Sequence, residues 1–434
     1  MSHILAARAT STNVLILLFN LINGALLARW LGPVGRGELL GVMIAPILLV
    51  TVGSLGLAPA ATYYAALRPS DRPALFGTLQ VLAILQAAIL VPVGYLVLPL
   101  VLRRFDESVL TTGQWFLWTI PLGLSTLYSV AVLTGAYKIN SVNLLNAIMP
   151  VGYLSATLFL AGMHALTVKN IALFQILMNL VVTIVAAVCI IRMRLGHLRA
   201  ERRFARTLFS YGSKSHLGSL GQTLNLRFDQ AILAGFLSAR DVGLYVVAVN
   251  SISPLQAVSQ AARTVFVARV VDIAKTGRDR RSIAAMYRQF AVALGAASIL
   301  LGLALPLAIP AIFGNTFRDS VPSAYLLLVA GVGYSLKDVL SAILQGLEDP
   351  WQSSRAELIG LLVTVTGLAV CVPAFGILGA ALVSLLSYFT SLLVQLRALS
   401  RRHSIRPSEM LILRRADIDR AARPIFSRLS TMWR

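Results

Sequence analysis

The sequence is poor in the residues from which metal sites and disulfide frameworks are built. It has two cysteines and five histidines in 434 residues, and neither type is clustered. Cys189 and Cys371 both fall in apolar stretches, so neither a disulfide framework nor a cysteine-ligated metal is predicted. The scattered histidines give no ligand spacing either. We expect neither a metal nor a cofactor, apart from a coupling proton or sodium ion.

Common catalytic and nucleotide-binding motifs are also missing from the sequence. There is no G-x-x-x-x-G-K-[ST] phosphate loop, no H-E-x-x-H pair and no G-x-S-x-G elbow. The predicted exterior loops are short, as in the turn near residues 315–320, and leave no room for an exterior domain that joins sugars. We therefore predict that the protein is not an enzyme.

Charged residues are scarce and apolar residues abundant. Only 13% of the chain is charged, about half the usual 25% of a soluble domain, and the mean hydropathy is +0.78. About 20 apolar residues cross a bilayer as a helix, in which the backbone groups satisfy one another. The sequence predicts an all-α polytopic membrane protein of about twelve such spans, the first retained, at 12–30, 39–66, 75–102, 112–135, 141–163, 169–191, 213–237, 242–268, 284–313, 322–346, 355–374 and 377–397.

The charge that is present is mostly positive, with 38 Lys and Arg against 17 Asp and Glu. A cytoplasmic N-terminus places 28 of the 38 basic residues in cytoplasmic segments, as the positive-inside rule requires. Both termini are then cytoplasmic, and no nucleic-acid partner is predicted. The basic segments at 192–214, 269–288 and after 397 suit anionic membrane lipids. Docking of cytoplasmic partner proteins is the alternative.

The basic connection at 192–212 lies near the midpoint of the chain. It predicts two six-helix bundles, 1–191 and 213–397, followed by a basic tail at 398–434. An internal echo supports a repeat, because residues 28–31 with Gly37 align with residues 234–237 with Gly243 at one offset. Transporters built from such repeats bind substrate between the halves and expose it to each side alternately. We expect a central cavity between the bundles.

Five charged residues fall well inside predicted spans, where a charge costs several kcal/mol. The cations are Arg227, Arg263 and Lys337, and the carboxylates are Asp229 and Asp338. Neighbours one or two positions apart do not face each other on a helix, so their partners must come from elsewhere. Ion pairs between helices are one interpretation. The other is a hydrated cavity whose cations bind a multivalent anion such as pyrophosphate, while the carboxylates carry a coupling proton or sodium ion.

Further polar residues lie within the predicted membrane spans. Glu357 falls near the cytoplasmic end of its span, where snorkelling would explain it. Four asparagines also fall in these spans: Asn13, Asn20, Asn23 and Asn225. They could form a cavity wall that binds sugar hydroxyls, or they could form hydrogen bonds between helices.

Several segments resemble one known family. They are Ala28 to Glu38 (ARWLGPVGRGE), Gly53 to Leu57, Phe228 to Ser238 (FDQAILAGFLS), Gln345 to Pro350 and Phe375 to Ala381. Their order and spacing are similar to those of oligosaccharide flippases of the multidrug/oligosaccharidyl-lipid/polysaccharide (MOP) exporter superfamily, including the O-antigen flippases of lipopolysaccharide synthesis. The resemblance covers roughly residues 10–400.

The resemblance implies a function. It implies that an undecaprenyl-pyrophosphate-linked glycan is flipped from the inner to the outer leaflet of a bacterial cytoplasmic membrane for surface polysaccharide synthesis. Polysaccharide polymerase and chain-length proteins would then be partners. A cation-coupled drug exporter is the main alternative, and a polysaccharide polymerase or ligase is a further one.

Overall fold

The chain is helical throughout the part that the structure describes. This computed structural model covers residues 2–193, 196–276 and 281–411, and the side chains within them except those of 2–14, 213–226, 281 and 411. In this part there is no strand, and two short 3₁₀ turns at Pro69–Asp71 and Asn315–Ser320 join some of the helices. The α-helices are α1 (Ser2–Gly53), α2 (Leu57–Leu67), α3 (Arg72–Val101), α4 (Glu107–Phe116), α5 (Thr119–Gly135), α6 (Ile139–Gly162), α7 (Val168–Ile191), α8 (Arg202–Phe236), α9 (Ala239–Ser251), α10 (Ser253–Thr276), α11 (Arg281–Phe313), α12 (Val321–Gly346), α13 (Pro350–His403) and α14 (Pro407–Leu411).

The first long helix, α1, turns back on itself at one residue. Gly32 has φ 68° and ψ −175°, which lies outside the helical region and suits a residue without Cβ. In a straight helix Gly24 and Arg36 would be about 18 Å apart. A Cβ placed on Gly24 would instead lie 3.9 Å from Nη2 of Arg36. The gap between the first two predicted spans is therefore a sharp turn at Gly32, and Arg36 lies on the returning helix.

The last long helix, α13, is a second helical hairpin. Its 54 residues would extend about 80 Å if straight, far more than the roughly 30 Å hydrocarbon core. Gly376, at φ 56° and ψ −133°, breaks it. The Ser387 hydroxyl donates to the Gly360 carbonyl at 2.8 Å and the Ser391 hydroxyl to the Ala356 carbonyl at 3.0 Å. The two arms of α13 therefore run side by side and account for the last two predicted spans.

Other predicted spans are broken or bent. The second predicted span is interrupted where α1 ends, because Leu55 and Gly56 both adopt positive φ before α2 begins. The eighth contains α9 and α10, which meet at 43°. Within the described residues eight helices, or nine with this bent pair, are long and apolar enough to cross a membrane. The protein is a multi-pass membrane protein, as predicted, and the total of twelve spans stays a prediction.

The chain forms two compact units, Met1–Val246 and Val247–Arg434. In the first, buried side chains of α1 to α8 form one apolar core that includes Leu79, Leu124 and Tyr128. In the second, α12 is the most buried helix and packs against α10, α11 and α13. The contact-defined division places α8 and the start of α9 in the first unit, whereas the sequence suggested a boundary at 192–212. The predicted division into two six-helix bundles stays a prediction.

Within the first unit, the two glycines of the sequence repeat touch each other. A Cβ on Gly37 would lie 1.8 Å from the Ala239 carbonyl oxygen, and a Cβ on Gly243 would lie 1.9 Å from the Pro33 carbonyl oxygen. The contact is reciprocal, because each glycine meets a carbonyl four residues before its counterpart. Only glycine permits the returning arm of α1 and the start of α9 to cross this closely.

Candidate functional site

The second unit contains a buried ion pair between α12 and α13. Lys337 Nζ donates to Glu357 Oε1 at 2.5 Å, and the side chains are 1% and 3% exposed. The ammonium also lies 4.9 Å from the ring centre of Tyr334 and 5.6 Å from that of Tyr388. Two aromatic faces therefore complete the surroundings of the cation. Glu357 does not reach a membrane surface as its sequence position suggested. That expectation was wrong, because α12 lies beside it.

Asp338, the next residue on α12, has its partners on a different helix. Arg263 Nη1 on α10 donates to Asp338 Oδ1 at 2.6 Å, and Gln260 Nε2 lies 3.4 Å from Oδ2. Asp338 is fully buried, whereas Arg263 is about one-fifth exposed. Adjacent positions on a helix point in directions about 100° apart, so Lys337 and Asp338 reach opposite neighbours. The structure thus brings three of the five predicted charged residues together on one helix pair.

A hydroxyl and amide network continues from the ion pair along α12 and α13. The Ser353 hydroxyl donates to Ser341 Oγ at 2.7 Å, and Gln395 Nε2 donates to the same oxygen at 2.9 Å. Two buried oxygens in this region have no hydrogen-bond partner, Oε2 of Glu357 and Oε1 of Gln395. An unsatisfied buried acceptor costs about 1–3 kcal/mol, so the network can accept a further hydrogen-bond donor.

Asp229 belongs to the first unit and has its own partner. The Tyr245 hydroxyl on α9 donates to Asp229 Oδ2 at 2.6 Å, and the Gln230 backbone N–H donates to Oδ1 at 2.7 Å. Asp229 is 4% exposed, whereas Arg227 is exposed and interacts with Asp229 only electrostatically. Of the three predicted cations, Arg227 is therefore the most exposed, Arg263 is partly exposed and Lys337 is buried.

Pairing changes what the predicted cations can do. An anion that binds Lys337 or Arg263 must displace Glu357 or Asp338, and separating a buried pair costs several kcal/mol. Arg227 has no ion-pair partner among the described residues, so an anion that binds it displaces none of them. Whether these three cations bind substrate stays a prediction.

The predicted asparagine wall is described at two of its four positions. Asn20 is exposed and Asn23 is 3% exposed with its Oδ1 unpartnered. The side chains of Asn13 and Asn225 lie outside the described residues.

The first unit also contains an open pocket of about 330 Å³ between the returning arm of α1 and helices α4 to α7. Its walls include Met43, Phe116 and Met149, with Gln175 and Asn179 supplying the amides. Gln175 is 3% exposed and its Oε1 has no hydrogen-bond partner. The cavity is thus mainly apolar with a few convergent polar groups, which is typical of a ligand site.

Sequence reasoning missed one cation of the first unit, Arg36. Arg36 is part-buried, and its buried Nε has no hydrogen-bond partner among the residues that the structure describes. The Tyr153 hydroxyl on α6 is also buried without a partner and lies within electrostatic range of Arg36. The predicted spans end at residue 30 and resume at residue 39, which left Arg36 between them.

Comparison with known protein families gives a match over most of the chain. A sequence profile described as "Polysaccharide biosynthesis protein" matches residues 26–322. The chain belongs to the polysaccharide biosynthesis protein family. This family match spans the turn and the returning arm of α1, the Gly37–Gly243 contact and the whole of α11.

This chain is similar to a curated protein, the probable low-salt glycan biosynthesis flippase Agl15 of Haloferax volcanii. It is 23% identical over 336 residues, which are 73% of this chain and 68% of the relative.

Two solved structures share the fold. The inward closed form of the lipid II flippase MurJ matches with a TM-score of 0.73 at 12% identity, covering 90% of this chain and 87% of that one. An inward-facing multidrug resistance MATE transporter of the MOP superfamily matches with 0.72 at 14% identity, covering 90% and 94%. The fold is that of the MOP superfamily, as predicted, and these proteins are flippases and transporters rather than enzymes.

Proposed function

We propose that the protein flips a lipid-linked glycan from the cytoplasmic to the outer leaflet by alternating access. The observation that carries this proposal is the family match over residues 26–322, together with a relative named as a glycan biosynthesis flippase. Buried charges within membrane helices support it, because a polar headgroup needs a polar route and such residues mark transport pathways. The lipid chain of the substrate remains in the bilayer.

The carrier lipid in this proposal is undecaprenyl pyrophosphate, and the membrane is the bacterial cytoplasmic membrane with both termini inside. The excess of basic residues in the predicted cytoplasmic segments supports this orientation. Asp229 or Asp338 carries the coupling proton or sodium ion. A polysaccharide polymerase and chain-length proteins act on the flipped product.

The test is the leaflet distribution of lipid-linked sugars in a strain that lacks the gene. Inverted membrane vesicles expose the cytoplasmic leaflet to a glycan-specific lectin or glycosidase. We expect complete repeat units to accumulate on this leaflet, and the wild-type gene to restore their export.

Two other outcomes would overturn the proposal. Repeat units that reach the outer leaflet but stay unpolymerised would indicate a polymerase. Unchanged lipid-linked sugars combined with increased drug sensitivity would indicate the cation-coupled exporter, which shares the fold.

A further inference from the structure

Gln175 on α7 is a buried amide of the first unit with an unsatisfied acceptor. The residue is 3% exposed, and its Oε1 has no hydrogen-bond partner among the residues that the structure describes. Gln86 on α3 shows the usual arrangement, because its Nε2 donates to the Gly53 carbonyl at 2.8 Å and its Oε1 accepts from the Tyr128 hydroxyl at 2.6 Å. Leaving a buried acceptor unsatisfied is costly. Gln175 therefore indicates a missing hydrogen-bond donor.

The same amide lines a pocket together with two hydroxyl groups. Gln175, Thr51 and Thr119 all line the open pocket of about 330 Å³ between the returning arm of α1 and helices α4 to α7, which we call the Gln175 pocket. The Thr51 hydroxyl donates to the Ile47 carbonyl at 2.8 Å, and the Thr119 hydroxyl donates to the Phe116 carbonyl at 2.7 Å. A hydroxyl has one hydrogen and two acceptor lone pairs, so both oxygens can only accept a further hydrogen bond. The pocket therefore offers three side-chain acceptors to a ligand.

The Gln175 pocket is uncharged as well as rich in acceptors. Its lining, within the part of the chain that the structure describes, includes no Asp, Glu, Lys, Arg or His. A charged group without a counter-charge is strongly disfavoured in such a site, which argues against pyrophosphate and other ions. The lining instead favours a neutral ligand with several hydrogen-bond donors. A prenyl alcohol carries one hydroxyl donor, whereas a sugar ring carries several.

The other walls of the pocket and its size also suit a sugar ring. Met43, Phe116 and Met149 supply apolar surface on which the C–H faces of a ring can pack while its hydroxyls reach the acceptors. A Cβ on Gly123 would lie 3.7 Å from Val50 Cγ2, an ordinary contact, so this wall has space in front of it. The volume is at the lower end of the roughly 300–1,000 Å³ range of small-molecule sites, which fits one sugar residue rather than a whole oligosaccharide.

We propose that the Gln175 pocket binds one neutral sugar residue of the transported glycan, with Gln175, Thr51 and Thr119 accepting hydrogen bonds from its hydroxyl groups. The assignment rests on the proposed function for the source of the sugar. It adds a neutral site to the charged residues predicted from the sequence. Recognition of the sugar and binding of the pyrophosphate are then tasks of different residues.

Saturation-transfer NMR on the purified full-length protein in nanodiscs tests the site. The probe is the mixture of methyl glycosides obtained by methanolysis and N-acetylation of the surface polysaccharide of the organism that carries the gene. We expect at least one neutral methyl glycoside to bind the wild type. Gln175→Leu should raise its dissociation constant about 3- to 10-fold, the equivalent of one neutral hydrogen bond. Gly123→Val, which places a larger side chain in the pocket, should raise it about 10-fold or more.

The matched control is Gln86→Leu, the same substitution at a glutamine whose amide is paired and which does not line the pocket. It should lower the unfolding temperature, because Tyr128 and Gly53 lose their partners, and the folded protein should bind the glycoside as the wild type does. Gln175→Leu should keep the wild-type unfolding temperature, because its Oε1 has no partner to lose. A Gln175→Leu protein that binds normally, or that unfolds at as low a temperature as Gln86→Leu, would assign Gln175 a structural role and overturn the proposal.

Two further binding outcomes would refute the sugar assignment. If no methyl glycoside of the mixture binds the wild type, the pocket holds water only. If farnesol displaces a bound glycoside, the pocket is a site for the prenyl chain of the lipid.

Complementation of the deletion strain separates this proposal from the proposed function. Gln175→Leu should reduce export of the glycan to the outer leaflet. Full export by Gln175→Leu would refute the site while the flippase function stands. Normal leaflet distribution in the deletion strain itself, together with Gln175-dependent binding of a glycoside, would refute the flippase function but retain a sugar site.

Discussion

Replacing Lys337 with methionine should destabilise the protein strongly, whereas replacing both members of its ion pair should not. Lys337 and Glu357 are 2.5 Å apart and at most 3% exposed. Lys337→Met keeps the length of the side chain and removes its charge. The Glu357 carboxylate then stays buried without its cation. Its Oε2 already lacks a hydrogen-bond partner among the described residues, and its Oε1 loses the hydrogen bond from Lys337.

The magnitude follows from burial. Removing one partner of a buried pair costs about 3–5 kcal/mol, because the remaining charge has lost its compensation. The double variant Lys337→Met, Glu357→Met removes both charges, and such replacements are often neutral or stabilising by about 1–4 kcal/mol. Both variants lose the cation–π contacts of Nζ with Tyr334 and Tyr388, so this loss does not distinguish them. We expect the double variant to recover most of the lost free energy of unfolding.

The assay is the free energy of unfolding from SDS titration in mixed micelles. The control is Arg203→Met, because Arg203 and Glu201 are also 2.5 Å apart but 67% and 33% exposed. An exposed pair contributes about 0–1 kcal/mol. If Lys337→Met costs no more than Arg203→Met, the reasoning from burial is refuted.

Export by the double variant then separates the two interpretations of Lys337. A stable double variant that restores glycan export would make the pair structural. A stable double variant that fails to export would support the predicted contact between Lys337 and substrate.

Two further predictions concern contacts in the first unit. Gly37→Ala should lower the free energy of unfolding by about 1–3 kcal/mol, since its Cβ would lie 1.8 Å from the Ala239 carbonyl oxygen and α1 and α9 must separate. Gly295→Ala, whose Cβ would have nothing within 4 Å, should be neutral or slightly stabilising in the same SDS titration, and equal effects of the two would contradict the close packing. Tyr245→Phe should cost about 1.5–3 kcal/mol, because Asp229 loses a 2.6 Å hydrogen bond from the hydroxyl. Tyr245→Phe should cost little when Asp229 is already replaced by Asn, which would attribute the cost to the contact with the carboxylate. The same cost with Asp229 present and with Asn in its place would refute this reason.

The sequence was sufficient for fold class and family because both depend on patterns that are local. Apolar length predicts membrane helices whatever their partners, and the order of short motifs such as residues 28–38 and 228–238 is readable along the chain. The family match and the neighbouring folds confirm this part.

Ion-pair partners could not be predicted in the same way. Helix geometry shows that Lys337 and Asp338 point in different directions, but it does not tell which helix lies there. Glu357 lies on the next helix and Arg263 on α10, 75 residues from Asp338. Such pairings depend on packing, which one sequence does not encode in any local pattern.

Turn geometry explains the remaining differences between the prediction and the structure. Gly32 and Pro33 predict a break, but the φ of Gly32 permits an immediate reversal instead of a loop. This reversal places Arg36 beside Gly24. The alignment of Gly37 with Gly243 was visible in the sequence as a repeat, yet their mutual contact is a consequence of how α1 and α9 cross.

The neutral ion pairs of the second unit bear on the response of the protein to the membrane potential. Moving one elementary charge across 100 mV changes the free energy by about 2.3 kcal/mol. Lys337 with Glu357, and Arg263 with Asp338, each sum to zero charge, so a joint displacement of α10, α12 and α13 that keeps the pairs intact carries these four side chains through the field as dipoles. Their movement therefore contributes almost nothing to electrogenicity. Any voltage dependence of transport must come from the other charges that move, such as an anionic substrate or a coupling cation.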